Sequence, residues 1–134
     1  MKASACRSIP APPEAVWAVI SDPERHIRTL PPSVSGARVL ESGEITCVVS
    51  AMGRSEPMRV RRTVLEPPRR LVEERVDGKR AGRTEFVIQP EGSGSRVTVN
   101  ADIELPRLLS AVAKGPVEQG LAQQLQGLER EATA

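Results

Sequence analysis

The sequence predicts an α+β fold: an antiparallel sheet of about seven strands, two short helices after the first strand, and one long C-terminal helix covering the sheet. Three observations carry this. The stretch IPAPPEAVWAVISDPERH, Ile9 to His26, has helical apolar spacing interrupted by four prolines. From Arg38 to Glu104, strand-like segments are cut by turn residues. From Pro106 onward, leucine and valine return at mostly helical spacing.

One strand precedes Pro10. Pro12 and Pro13 then open a helix, because its first turn has no N–H partners to lose and proline presets φ. Glu14 meets the positive end of the helix dipole. Val16, Val19 and Ile20, with Trp17 beside them, form its apolar face. Pro23 pushes Asp22 out of the α region, so this helix stops near Ser21. Asp22 caps a second short helix that starts at Pro23, carries Ile27 and Leu30 inward, and ends at Pro31 and Pro32.

The predicted strands are 37–41, 44–52, 58–65, 70–76, 83–89 and 96–104. The turns between them are Ser42-Gly43, Met52-Gly53-Arg54-Ser55, Pro67-Pro68, Asp77-Gly78 and Gly92-Ser93-Gly94. In the last strand Val97, Val99, Ala101 and Ile103 face one side, while Arg96, Thr98, Asn100, Asp102 and Glu104 face the other. That pattern suits a sheet with one covered and one wetted face. The cover is the C-terminal helix, with Leu108, Leu109, Val112, Val117, Leu121, Leu125 and Leu128. A kink or break is expected at Gly115-Pro116.

At 134 residues the chain reads as one domain, residues 1–134, large enough to bury roughly 68% of its unfolded surface. A net charge of +2 is too small for a dedicated nucleic-acid binder. There is no tyrosine and only one Phe and one Trp, so stacking platforms for bases are missing and aliphatic residues fill the core. Only three of the 19 basic residues are lysines, a bias that fits a GC-rich bacterial genome. Prolines occupy the place of a signal peptide's apolar run, and no segment approaches the roughly 20 apolar residues of a membrane span. A cytoplasmic location follows as the expectation. Cys6 and Cys47 read as free, buried thiols.

The chain resembles the START-like (SRPBCC) superfamily with its helix-grip fold, and within it the polyketide cyclase/dehydrase and lipid-transport group. The words that carry the resemblance are IPAPPEAVWAVISDPERH, EPPRRLV, GRTEFVIQPEGSGSRVTV and ELPRLLSAVAKGPVEQGLAQQL. The resemblance implies a curved sheet wrapped around the terminal helix, with an elongated cavity between them. It also implies an apolar guest such as a lipid or polyketide, and in some members a cyclisation reaction.

With the last strand fixing the inward face, Ile45, Cys47 and Val49 point inward, as do Met58, Val60 and Val64, with Phe86 and Ile88 beside them. Val99, Leu109 and Val112 complete the candidate lining. Alternation alone does not separate a lined cavity from a filled core. Arg62 lies in phase with Met58 and Val60, and a buried guanidinium needs a carboxylate or a ligand anion. Glu73 and Glu74 are the available partners; Glu74 enters the candidate set, while the irregular Pro67-Pro68 loop leaves open which of them faces Arg62. The alternative is a structural ion pair, or an edge arginine whose head reaches water.

His26, the only histidine, sits among arginines and reads as a solvated surface residue. One His and two distant Cys make no zinc site, and no cofactor is implied. EGSGSR at 91–96 is a hairpin turn, since a strand and not a helix follows it. Arg59, Arg61, Arg69, Arg70, Arg80 and Arg83 interleave with Glu56, Glu66, Glu73, Glu74 and Glu85, the pattern of a solvated, salt-bridged face.

The function expected is binding or carrying of an apolar small molecule, by a monomer or homodimer, with no nucleic-acid partner. The alternatives are an aromatase/cyclase-like or dehydratase-like enzyme acting on a polyketide, and a co-chaperone-like interaction domain. An enzyme would use Arg62 with Glu73 or Glu74, though it would lack the tyrosine donors such cavities commonly employ.

Overall fold

The computed structural model describes residues 1–51, 53–77 and 80–134. Seven strands form one antiparallel sheet: β1 Lys2–Ile9, β2 Val34–Val39, β3 Ile45–Ala51, β4 Arg54–Glu66, β5 Arg70–Arg75, β6 Gly82–Glu91 and β7 Gly94–Ile103. Their spatial order is β1-β7-β6-β5-β4-β3-β2. The chain thus runs as a meander from β2 to β7, and β1 closes onto the last strand. The sheet curls into a half-barrel. Helix α1 spans Pro13–Ile20, α2 spans Pro23–His26 and continues into a single 3-10 turn at Ile27–Thr29, and α3 spans Arg107–Thr133. The predicted turns at Met52-Gly53 and Asp77-Gly78 fall partly outside the described residues.

The proline punctuation acts as expected. Pro12 stands in extended backbone immediately before α1, and Asp22 Oδ1 accepts from Glu24 N at 3.0 Å to cap α2. Val16, Val19 and Ile20 are buried. After α2 the inward face differs from the expectation: His26 and Thr29 are buried, while Ile27 and Leu30 are only half-buried. Four helical residues followed by a tighter turn set a different rotation from a regular helix.

The core joins β1, β5, β6 and β7 to α1 and the C-terminal half of α3. Val97, Val99, Phe86, Ile88 and Leu71 meet Val16, Val19, Ile20, Leu125 and Leu128. Each such fully buried aliphatic or aromatic side chain contributes about 1.5–3 kcal/mol. Helix α3 packs chiefly along β1, α1 and the 3-10 turn. Its close approach requires Gly127, where a Cβ would lie 2.7 Å from the Thr29 carbonyl oxygen.

Two expectations about α3, a break at Gly115-Pro116 and the inward placing of Leu108 and Val112, are corrected. The helix runs unbroken through Gly115-Pro116; the carbonyl that Pro116 leaves without an N–H is that of Val112, a residue 58% exposed. Val112 and Leu108 are 58% and 88% exposed and do not face the sheet. Helix phase explains it: Val112 precedes the buried Leu121 by nine residues, two and a half turns, and so points the opposite way. Ala113 takes the inward position instead.

On the outer face, Arg59 and Arg61 pair with Glu44, and Arg70 with Glu66 and Glu85, while Arg75, in register with Val60, pairs with Glu56 and Asp77 at the inner face. This is the expected salt-bridged surface, except that Glu73 and Glu56 are not part of it, both lying on the inner face. Cys47 is buried, but Cys6 is exposed, because β1 alternation sets it beside Thr98 on the wetted side.

Candidate functional site

The site grows from the register of β4 against β5. Arg62 pairs with Glu73 and Val60 with Arg75, but beyond Arg62 the ladder shifts and Val64 pairs with Val72. The extra residue at this bulge turns Val64 to the opposite face from Arg62, so Val64 is removed from the inward set. Cross-strand partners share a face, and Phe86 pairs with Leu71 and Val99. The inner face therefore carries Leu71 and Glu73 on β5. Glu74, paired in register with Arg61 and Arg83, belongs to the outer face and does not share the face of Arg62. The glutamate opposite Arg62 is Glu73.

Around that pair lies a buried polar cluster. His26 is 1% exposed, and its Nε2 lies 2.8 Å from Glu73 Oε1. Phe86 meets the His26 ring edge-on, with centroids 5.6 Å apart. Arg62 Nη1 donates to the Ser21 carbonyl at 2.7 Å. Its Nε and Nη2 are buried and find no partner among the described residues, and neither does His26 Nδ1. Buried polar atoms are almost always bonded, so a convergence of orphans in one place points to a guest or to ordered water.

Electrostatics fit that arrangement. Burial pushes the Glu73 carboxyl up, but His26 at 2.8 Å and the Arg62 guanidinium together prevail and hold it below the ordinary carboxylate range. Burial lowers the Arg62 guanidinium, with Glu73 and Asp22 pulling the other way. Burial, then the charges of Glu73 and Asp77, push the Cys47 thiol up against Arg75, which favours the neutral thiol.

The other expected lining residues divide into two groups. Phe86, Ile88 and Val99 are fully enclosed in the core. Cys47, Val49, Met58 and Val60 share the inner face of β3 and β4 with Arg62; Val49, Met58 and Val60 remain half-exposed. Leu109 is half-buried, and Val112 faces away. Arg62 thus stands where the closed core gives way to a partly open surface on which Val49, Met58 and Val60 adjoin the Arg75–Glu56 ion pair. A separate open groove of about 450 Å³ lies between β1, β6, β7 and the N-terminal half of α3. Lys2, Arg83, Asp102, Lys114 and Glu118 line it, and that mixed-charge surface does not suit an apolar guest.

The sequence reading missed His26 and the Ser21 carbonyl. Glu73 was within reach, since Leu71 two residues earlier is a core residue and shares its face. Among the described residues no three His, Cys, Asp or Glu side chains converge as metal ligands, and no helix is long and apolar enough to cross a membrane.

Comparison with known proteins agrees with this architecture. The sequence profile of a family described as polyketide cyclase / dehydrase and lipid transport matches residues 1–133. No curated protein matches the chain. A Thermus thermophilus protein, TTHA0849, superposes with a TM-score of 0.82 at 24% identity, covering 99% of this chain and 97% of that one. A START superfamily protein from Mycobacterium smegmatis gives 0.74 at 18% identity, with 97% of each chain covered. The KanY protein gives 0.86 at 20% identity, over 100% and 98% of the two chains.

Proposed function

Because the chain belongs to the polyketide cyclase / dehydrase and lipid transport family, we propose that it binds an apolar small molecule on the inner face of β3 and β4, with Arg62 as the polar anchor. The observation that supports this is the pair of buried, unpartnered Arg62 donors beside half-exposed Val49, Met58 and Val60. A ligand oxygen there supplies the hydrogen bonds the fold leaves unmade, and the apolar strands bury its carbon chain. Native mass spectrometry of freshly purified protein, followed by a thermal-shift panel of fatty and polyketide-like compounds, tests it. The expected result is a retained or added apolar guest whose affinity falls about tenfold or more in Arg62→Ala. No retained molecule and no shift with any compound would overturn it.

The Glu73 carboxylate supports a second reading, acid–base catalysis on an enolisable guest. Glu73 would take a proton from the carbon beside a carbonyl, becoming a carboxylic acid, while Arg62 holds the enolate oxygen; return of the proton would close the cycle. Deuterium uptake from heavy water into a bound ketone, absent in Glu73→Gln, would support this reading, and no uptake above the background rate would remove it.

A further inference from the structure

Resting on the binding reading above, we infer that the guest's polar end is electrically neutral and presents a carbonyl oxygen beside an N–H or O–H. An amide or hydroxycarbonyl head meets that description, and a carboxylate does not.

The first argument is the geometry of the free donors. Arg62 spends Nη1 on the Ser21 carbonyl and leaves Nε and Nη2 unpartnered. Those two N–H groups lie parallel along one edge of the planar guanidinium, so they converge on an acceptor placed beside that edge. The second is the opposing acceptor. Glu73 is Arg62's register partner on the same face, and no ion pair within 4.0 Å joins them among the described residues. Beyond its 2.8 Å contact with His26 Nε2, the Glu73 carboxylate keeps lone pairs to accept another donor. One side of the site therefore offers donors and the other an acceptor, which is the complement of a head carrying both kinds of group.

The third argument is charge. The single positive charge of Arg62 is already matched by the single negative charge of Glu73, and Asp22 adds further negative potential at Arg62. An arriving carboxylate would therefore make a desolvated site net negative, whereas a neutral head leaves it balanced.

Three probes of one chain length decide the matter by calorimetry: decanamide, methyl decanoate and decanoate. The amide carries acceptor and donor, the ester an acceptor only, and decanoate a charge. On the native protein decanamide is expected to bind about tenfold or more tighter than decanoate, with the ester weaker than the amide. Glu73→Gln removes the negative charge and keeps the shape, so the preference inverts and decanoate becomes the tighter ligand. In Arg62→Gln, which carries the test if the first variant does not fold, all affinities fall and the amide-to-decanoate ratio widens. Decanoate binding tightest to the native protein, or a ratio that neither variant moves, would overturn the inference while leaving the binding reading intact. Failure of all three probes to bind would instead overturn the binding reading and this inference with it.

Discussion

Arg62 and Glu73 stand opposite each other on β4 and β5, yet each is bonded to the helical corner and not to the other. Arg62 holds the carbonyl of Ser21 at the end of α1, and Glu73 meets the ring of His26 at the end of α2. The sheet thus secures both sides of the Asp22-Pro23 bend through two charged residues. The groups proposed to face a guest are the same ones that position the short helices.

Acid should weaken this arrangement. The Glu73 carboxyl lies below its ordinary value of 4.5 in the folded chain, so the folded state binds fewer protons than the unfolded state as pH falls. Its stabilisation is present above pH 4.5 and is lost as pH drops from there through the lower folded value. Asp77 and Glu85 are also held low and act in the same sense. Glu73→Gln is therefore expected to cost about 1–3 kcal/mol near neutrality and to flatten part of the decline in acid. Urea unfolding at a series of pH values measures both; an unchanged slope would contradict the role of Glu73.

The His26–Glu73 contact can be isolated by a double-mutant cycle. His26→Leu or Glu73→Leu alone leaves a buried partner uncompensated and should cost about 3 kcal/mol or more. The double variant should cost less than the sum by at least about 1 kcal/mol, because the orphaned partner is gone. Additive losses in equilibrium denaturation would show that the two side chains act independently.

One substitution at two glycines of α3 should act with opposite signs. Gly127→Ala places a Cβ 2.7 Å from the Thr29 carbonyl oxygen and 3.0 Å from its Cα, backbone atoms that cannot swing aside. The expected loss is about 2 kcal/mol, despite the better helix propensity of alanine. Gly115→Ala meets nothing within 4 Å and should gain about 0.5–1 kcal/mol. Melting temperatures of the two variants settle it, downward for the first and upward for the second.

The two thiols should differ in reactivity. Cys6 is exposed, while Cys47 is buried with its thiol pushed up, first by that burial. Ellman's reagent is expected to titrate one thiol in the native protein and the second only on unfolding. Two fast equivalents would contradict the burial of Cys47.

Much of the fold was legible because prolines and alternation act locally. The two short helices, the meander and the burial of Leu121, Leu125 and Leu128 all follow from residue spacing. What was not legible depends on insertions in the backbone. Gly36 adopts a φ of 60° in a strand whose register shifts between Ser35 and Arg38, which hid the start of β2. The bulge after Arg62 reversed Val64, and a helix of four residues carries too little periodicity to reveal that His26 turns inward. The site was half visible for the same reason. Arg62 announced itself as a cation in an apolar phase, while its neighbours depended on register and on the pitch of a single turn.

The pairing of β1 with β7 has a consequence for biogenesis. Lys2 finds Asp102 and Ile9 finds Ser95, so β1 has no partner until β7, more than eighty residues later, has left the ribosome. During that interval its hydrogen-bonding edge and apolar side chains are open to foreign pairing, the condition under which nascent chains aggregate or recruit chaperones.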